Sequence, residues 1–493
     1  MRRRGRARRK ILISAQVLGL CLVLVMCVLL AGCGPISASK GSSSTAATSV
    51  AGSTSSVSDA TGAPPGGSPG APPGGGSGAP GGSGGAAVYP TKARYTQSGG
   101  AKSQEDQTYT ASQDDQSAIL VSDGGSLTVT NAKIETSGDS SSDDSSSFYG
   151  LNAAVVATSS GSISVSGGSI TTTGSGANGA FATGEGSAVS LSDVTIEATG
   201  AGGHGVMATQ GGAVTLDNVK ITTAGANSAP LATDRGGGTI TASGGSALAS
   251  GKDSPAVYST GLITVTDGTY EATGAEAAVI EGGNSIDLTD VTLSSSVADK
   301  WGVMIYQSMS GDATGTKGTF TMKGGALAYS GTPGPLFYVT NSTGVINLSG
   351  VQLTCASGVL VKAASGDWGT SGSNGGSVLV AADGQTFIGD LVADNLSSLT
   401  LSLANSSFLA GAINADHGAK EASLTLDATS TWSVTADSYL STLTLSGAIS
   451  GTSITDIVGN GHTVYYDSRN SANSAFGGKT YGLAAGGTLK PAS

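Results

Sequence analysis

Two neighbouring stretches, GAFATGEGSAVSLSDVTIEA (179–198) and GVMATQGGAVTLDNVKITT (205–223), carry the same pattern 26 residues apart. Each begins with a short apolar segment, which is followed by two alternating segments such as VSL (189–191) and VTIEA (194–198). Strict alternation of apolar and polar residues is typical of a strand with one buried face. Gly, Asn, Asp and Ser separate the segments and favour turns. The pattern therefore predicts three short strands per repeat.

The repeat extends along most of the chain. When the first strands are aligned, one column holds a large apolar residue in every repeat, at intervals of 22 to 36 residues: Ile119, Val155, Phe181, Met207, Leu231, Val257, Val279, Met304, Leu336 and Leu360. We interpret this column as the interior, because a single coil cannot bury its apolar face alone and successive coils must stack.

The fold class predicted is therefore all-β, a right-handed parallel β-helix with three short strands per coil. The hand is that of nearly all parallel crossovers. The alternative is an antiparallel sandwich of many short strands, which does not require an apolar column at the period of a coil.

The first residues have the features of a bacterial secretory signal. MRRRGRARRK (1–10) holds seven basic residues, and the chain is then almost wholly apolar up to Leu30-Ala31-Gly32-Cys33. This tetrapeptide resembles the lipobox of bacterial lipoproteins, and the resemblance implies cleavage after Gly32 and lipidation of Cys33. We expect residues 1–32 to be the signal peptide and the lipid at Cys33 to anchor the protein at the extracellular face of the cell membrane. The alternative is an ordinary secretory signal or an uncleaved membrane helix.

Residues 33–87 are rich in Gly, Ser and Pro and have no apolar period, so we expect a disordered tether. We assign 88–418 to the β-helix and 419–493 to terminal coils and a C-terminal β cap, which an open end with exposed strand edges needs.

Loss of the signal leaves 16 basic and 34 acidic residues, a balance that argues against nucleic acid as a partner. We expect Cys355 to have no disulfide partner in the mature chain.

The coils from about 108 to 493 resemble β-helical adhesin-like surface proteins of bacteria, in segments such as YGLNAAV (149–155) and WGTSGSNGG (368–376). The segment TWSVTADSYL (431–440) is similar to passenger ends of autotransporter-like proteins. The resemblance implies a surface location and an adhesive role rather than a defined activity.

Two motifs suggest chemistry only weakly. Gly203-His204-Gly205 resembles the tripeptide of polygalacturonases, but without that family's companion motifs we expect a turn histidine. Asp234-Arg235 is interpreted as a surface ion pair without a carboxylate on the adjoining coils. We predict no catalytic residue, no cofactor and, because the histidines are widely spread, no zinc site.

The Ser-rich insertion 138–147 contains Asp139, Asp143 and Asp144. Their oxygens are ligands that Ca²⁺ accepts, but the ligand spacing of a calcium loop is missing. We expect a solvated loop, and calcium binding stays open.

Two long loops, 308–318 and 365–376, are predicted to leave the same corner of the rod, and long loops on a rigid scaffold often bind ligands. Aromatic and charged residues near them are candidates for glycan binding: Trp301, Tyr306, Asp312, Lys317, Tyr338, Lys362, Asp367 and Trp368. The alternative is that Tyr306 and Tyr338 stack on each other and simply close the corner.

The sequence thus favours a non-catalytic, adhesin-like surface lipoprotein that binds a glycan or a neighbouring cell. The alternatives are a polysaccharide lyase or hydrolase on a pectate-lyase-like β-helix, and a purely structural spacer.

Overall fold

The structure is a computed structural model that describes residues 87–447 and 449–492. The predicted signal peptide, Cys33 and the tether up to residue 86 lie outside these residues. From residue 92 the chain forms a parallel β-solenoid of about 16 turns. The predicted parallel β-helix is therefore confirmed.

Strands are numbered β1 to β42 along the chain and form three sheets. Sheet A contains β1 (Lys92–Ser98), β4 (Gln116–Ser122), β6 (Val155–Thr158), β8 (Ala180–Thr183), β11 (Val206–Thr209), β14 (Leu231–Asp234), β17 (Val257–Ser259), β20 (Ala278–Glu281), β23 (Val303–Tyr306), β26 (Phe337–Thr340), β29 (Val359–Ala363) and β32 (Asp390–Ala393).

Sheet B follows sheet A in each coil and has two rows. The first row contains β2 (Ala101–Glu105), β5 (Ser126–Thr136), β7 (Ser162–Thr172), β9 (Ala188–Ser192), β12 (Ala213–Asp217), β15 (Thr239–Ser243), β18 (Leu262–Thr266), β21 (Ser285–Thr289), β24 (Lys317–Lys323), β27 (Thr343–Ser349), β30 (Ser377–Asp383), β33 (Ser398–Ala404), β35 (Glu421–Leu426) and β38 (Thr442–Leu445). The second row shares the long strands β5 and β7 and adds β3 (Thr108–Ala111), β10 (Thr195–Ala198), β13 (Lys220–Thr223), β16 (Ser246–Ala249), β19 (Thr269–Ala272), β22 (Thr292–Ser295), β25 (Ala326–Tyr329) and β28 (Gln352–Cys355).

Sheet C forms the C-terminal coils from β31 (Thr386–Ile388), β34 (Phe408–Gly411), β36 (Thr431–Val434), β37 (Ser438–Leu440), β39 (Ser453–Val458), β40 (Thr463–Tyr466), β41 (Tyr481–Ala484) and β42 (Thr488–Pro491). The antiparallel pairing of β41 with β42 ends the parallel stacking. A 3₁₀ helix, Ser471–Phe476, lies beside it, and the Phe476 ring contacts the rings of Tyr466 and Tyr481. These elements form the predicted cap, which satisfies strand edges that would otherwise be open.

Sheet B has the alternation that the sequence predicts. In β12, for example, Val214 and Leu216 are buried in the core while Thr215 is exposed. Sheet A differs, because all four residues of β11 are buried. Both faces of sheet A are therefore covered at this coil.

The register of sheet A corrects the predicted apolar column. Val206 pairs with Leu231, and Met207 pairs with Ala232, so Met207 and Leu231 belong to adjacent columns that point to opposite faces. The inward column holds Ile119, Val155, Val206, Leu231 and Val257, whereas Phe181, Met207, Val279 and Met304 lie in the outward column. Leu336 and Leu360 precede the inward residues of their strands by one position. The predicted column is wrong in register because strands that are apolar on both faces have no alternation to fix it.

The Ser-rich insertion forms a helix, α1 (Asp143–Tyr149), and not the expected solvated loop. Ser142 caps its N-terminus by accepting a hydrogen bond from the Ser145 amide, and Phe148 is buried against the outer face of sheet A. Asp143 and Asp144 lie in the first turn, where carboxylates are favoured. In the described part of the chain, no group of three or more His, Cys, Asp or Glu residues is placed to hold a metal ion.

None of the helices among the described residues is long and apolar enough to cross a membrane. Cys355 is a free, half-buried thiol whose sulfur lies 3.2 Å from the Val359 carbonyl oxygen.

Candidate functional site

A groove opens on the outer face of sheet A, near the end of the row of strands. Its volume is about 730 Å³. We call it the sheet A groove. Its floor contains Met304, Tyr338, Lys362 and Val392, which follow one another in register on successive strands. At about 4.8 Å per strand, the floor extends for roughly 14 Å along the axis of the solenoid.

Of the two predicted long loops, 365–376 lines this groove and 308–318 contributes no lining residue. Both connect sheet A to the first row of sheet B, one between β23 and β24 and the other between β29 and β30, so they leave the same corner as expected. The second loop contributes Asp367 and Trp368 to the groove, and the coil of β23 contributes Trp301. Five of the candidate residues therefore come together here: Trp301, Tyr338, Lys362, Asp367 and Trp368.

The aromatic rings pack in pairs that differ from the expected one. Trp301 stacks on Tyr338 with ring centroids 4.3 Å apart and planes 13° apart, and Trp368 packs on Tyr306 at 5.1 Å. The alternative pairing of Tyr306 with Tyr338 is wrong, because Tyr338 is in register with Met304 and Tyr306 with Thr340. Trp301 and Trp368 are only half-buried, so they form aromatic parts of the groove wall.

Carboxylates dominate the charged lining of the groove. Asp299, Asp367 and Asp416 are exposed, and Asp394 is half-buried. Asp394 accepts hydrogen bonds from the Ser365 amide at 2.7 Å and the Ser365 hydroxyl at 2.6 Å. Partial burial opposes ionisation, but these and other hydrogen bonds hold the pKa of Asp394 below its ordinary value. Asp394 is therefore a charged acceptor that also fixes the loop after β29.

Three candidate residues do not line the groove. Lys317 is exposed at the start of β24. Asp312 is a buried residue of the first long loop and forms an ion pair with Arg235, whose Nε donates to Asp312 Oδ1 at 3.0 Å. The Tyr306 hydroxyl is buried and donates to Glu281 Oε2 at 2.9 Å.

Glu281 organises a polar cluster beneath the first long loop. Its side chain is fully buried, and Oε2 accepts hydrogen bonds from Tyr258 at 2.6 Å and from Tyr306. Its Oε1 accepts from the hydroxyls of Ser308 and Ser310 in the loop. This carboxylate therefore ties the loop to sheet A.

The interpretation of Asp234-Arg235 as a surface pair is wrong. Asp234 is buried, and burial, with the nearby charges of Asp312 and Glu281, raises the pKa of its carboxyl well above the ordinary value. Arg235 instead reaches Asp312, and its guanidinium lies 3.7 Å from the centre of the Phe148 ring. This partner is not on an adjoining coil, because Asp312 comes from a loop 77 residues further along the chain.

His204 is a buried turn residue, as expected. Its Nδ1 accepts the Ala229 amide at 3.0 Å, and burial lowers the pKa of the imidazole to about 4. A neutral, fully buried histidine of this kind is not accessible to a polysaccharide.

Sequence reasoning missed Asp299, Asp394 and Asp416 as residues of the groove. Asp394 and Asp416 are 22 residues apart, the length of one coil, so their spacing was a usable signal. Asp394 follows β32, the last strand of sheet A, and Asp416 follows the isolated bridge at Ile413 one coil later.

Comparison with protein-family models found no match, and neither did comparison with curated proteins or with solved structures. Function is therefore inferred from the groove and from the sequence features of the N-terminus.

Proposed function

We propose that this protein is an adhesin-like surface lipoprotein whose sheet A groove binds a glycan without cleaving it. The observation that carries the proposal is the groove itself, which combines half-buried Trp301 and Trp368 with the polar groups of Lys362, Asp367 and Asp394. Aromatic surfaces pack on the apolar C–H groups of sugars, while carboxylates and ammonium groups bond their hydroxyls.

The elongated shape of the groove also supports this function. The floor crosses four strands of a rigid solenoid, so a short oligosaccharide can contact several coils at once. Pre-formed walls lower the entropic cost of binding. The basic and apolar N-terminus with Leu30-Ala31-Gly32-Cys33 supports export and lipid anchoring, which would hold the groove outside the cell.

An enzymatic role is the second candidate, because four carboxylates line the groove. Glycoside hydrolysis needs one carboxyl that stays protonated as a general acid beside a second that is ionised. Asp394 does not suit the role of general acid, because its pKa is lowered. The carboxyls of Asp234 and Glu276 have a raised pKa, but neither residue lines the groove.

A glycan array with residues 64–493, which contain every described residue of the solenoid, tests the proposal. The variants Trp301→Ala and Trp368→Ala should each weaken binding roughly tenfold or more, as for central aromatic contacts in other interfaces. Tyr149→Ala is the matched control, because Tyr149 is also half-buried and ring-paired, with Tyr89, but lies outside the groove.

Three outcomes would contradict the proposal. Release of reducing ends from a bound polysaccharide would establish an enzyme. Absence of binding across the array would favour a structural spacer, and equal loss in Tyr149→Ala would show that the effect is not local to the groove.

A further inference from the structure

The charge of the sheet A groove narrows the class of glycan that it can hold. Asp299, Asp367, Asp394 and Asp416 line it, and among the described lining residues only Lys300 and Lys362 bring positive charge. Asp299 lies on the coil of Met304, whereas Asp416 lies on the coil after Val392, so negative charge is present at both ends of the floor.

One of the two lysines is already neutralised within the protein. Lys300 Nζ lies 2.7 Å from Asp253 Oδ1 and 3.5 Å from Glu276 Oε2, and its side chain is only 12% exposed. Lys300 therefore offers little positive potential to a ligand. Lys362 is exposed, and four carboxylates surround the groove in which it lies.

We propose that the groove selects glycans that carry protonated amino groups, such as polymers of unacetylated amino sugars, and rejects uronic-acid polymers. This inference rests on the proposed function. An ammonium group is a donor that matches exposed carboxylates, and its charge is complementary to the net charge of the lining. A uronate would bring like charge against Asp394, which the Ser365 amide and hydroxyl keep ionised.

The arrangement along the floor gives the selection a length dependence. Asp299 and Asp416 stand at opposite ends, and Trp301 and Trp368 form walls between them. An oligosaccharide with amino groups on several units can reach both ends while its ring faces contact the tryptophans. A single amino sugar can reach only one.

Calorimetric titration of residues 64–493 tests the inference with four probes of equal length. These are a glucosamine oligomer, its N-acetylated form, a neutral glucose oligomer and a galacturonate oligomer, all in mildly acidic buffer. We expect the glucosamine oligomer to bind most tightly and the galacturonate oligomer not to bind measurably. The advantage of the amino sugar should shrink between about 0.05 and 0.5 M salt, because exposed charges are screened.

Asp299→Asn and Asp416→Asn should each reduce the preference for the glucosamine oligomer over the neutral one roughly twofold to fivefold, as expected for exposed charges. Asp217→Asn, on the exposed face of sheet B, is the matched control and should leave the preference unchanged. Asp299→Asn keeps a side chain that tolerates the turn at this position, where φ is 58°.

The possible failures are distinguishable. Galacturonate binding as tight as glucosamine binding would overturn the inference while leaving glycan binding intact. Tightest binding of the neutral oligomer, unaffected by salt or by the two variants, would do the same. Failure of every probe to bind, together with a silent array, would overturn the proposed function as well.

Discussion

Sheets A and B run side by side along the same coils but differ in what covers their outer faces. The outer residues of sheet B, such as Thr215, meet solvent. The outer residues of sheet A, such as Met207, are buried in a second apolar cluster separate from the main core. Sheet B is therefore a wall of the rod, whereas sheet A is an interior layer for much of its length.

The cover of sheet A is built from pieces that contact one another. Helix α1 places Phe148 on the sheet, Arg235 packs on Phe148, and Asp312 of the first long loop binds Arg235. Glu281 then fastens that loop to Tyr258 and Tyr306. The groove lies where this cover ends, so the proposed binding surface is the uncovered end of a mostly buried face.

The largest expected effect separates the two outer faces directly. Met207→Ala should lower the free energy of unfolding by about 2–5 kcal/mol, because it removes a fully buried side chain. Thr215→Ala, on the outer face of sheet B in the same coil, should change it by less than about 0.5 kcal/mol. Denaturant titration measures both, and similar losses in the two variants would break the distinction between the sheets.

The turn leading into sheet A gives a pH-dependent test. Burial lowers the pKa of His204 to about 4 in the folded protein, whereas the unfolded chain takes up a proton near 6.5. The stabilising contribution of neutral His204 is therefore complete above pH 6.5 and is lost as pH falls towards 4. The loss attributable to this residue should be about 3 kcal/mol at most.

His204→Asn is the variant that isolates this contribution. Asn178, one coil earlier, already uses its Oδ1 to accept the His204 amide, so an Asn at 204 can accept the Ala229 amide in the same way. Thermal unfolding followed between pH 7 and 4 should show a smaller decline in the variant than in the wild type. Identical declines would show that His204 is not the group responsible.

A third variant tests how the long loop is fastened to sheet A. Glu281→Gln removes the charge from hydrogen bonds with four hydroxyls and should cost about 1–3 kcal/mol. Amide hydrogen exchange of residues 307–316 should rise in parallel. Glu271→Gln, exposed on sheet B, is the matched control, and an equal effect there would contradict the proposed role of Glu281.

The smallest expected effect concerns the contact between α1 and the loop. Arg235→Lys keeps the charge but loses two donors and the flat surface on Phe148. We expect a loss of about 0.5–1 kcal/mol, limited because Arg235 is partly exposed. Arg469→Lys, whose guanidinium is almost fully exposed beside Asp467, should be neutral in the same denaturation assay. A neutral Arg235→Lys would mean that the pieces of cover act independently.

The same difference between the sheets explains what the sequence could predict. Alternation such as VTL (214–216) identifies the strands of sheet B, because one face is apolar and the other polar. The strands of sheet A lack alternation, so the sequence aligns Phe181 and Met207 with Leu231, although both residues are in register with Ala232. The coil length could be read from the sequence, but the register of sheet A could not.

The sequence does not predict helix α1, for a related reason. DDSSSFY (143–149) has low helix propensity, and a helix this short is stabilised mainly by packing. The sequence does not show that Phe181 and Met207 face outward, and so it does not show that a helix must cover them.

The candidate site was predictable where it depended on loop position and not where it depended on contacts between distant coils. Loop length located Trp368 and Asp367 near Tyr338. It could not reveal that Asp312 turns back to Arg235, or that Asp394 and Asp416 reach the groove from later coils.

The most direct measurement of the central claim is hydrogen–deuterium exchange of residues 64–493 with and without the glycan that binds best. We expect slower exchange at the segments that line the groove, around residues 299–306, 359–368, 392–394 and 416, with no change in the strands of sheet B. Protection on sheet B, or no protection at the groove despite binding, would contradict the assignment of the uncovered end of sheet A as the binding surface.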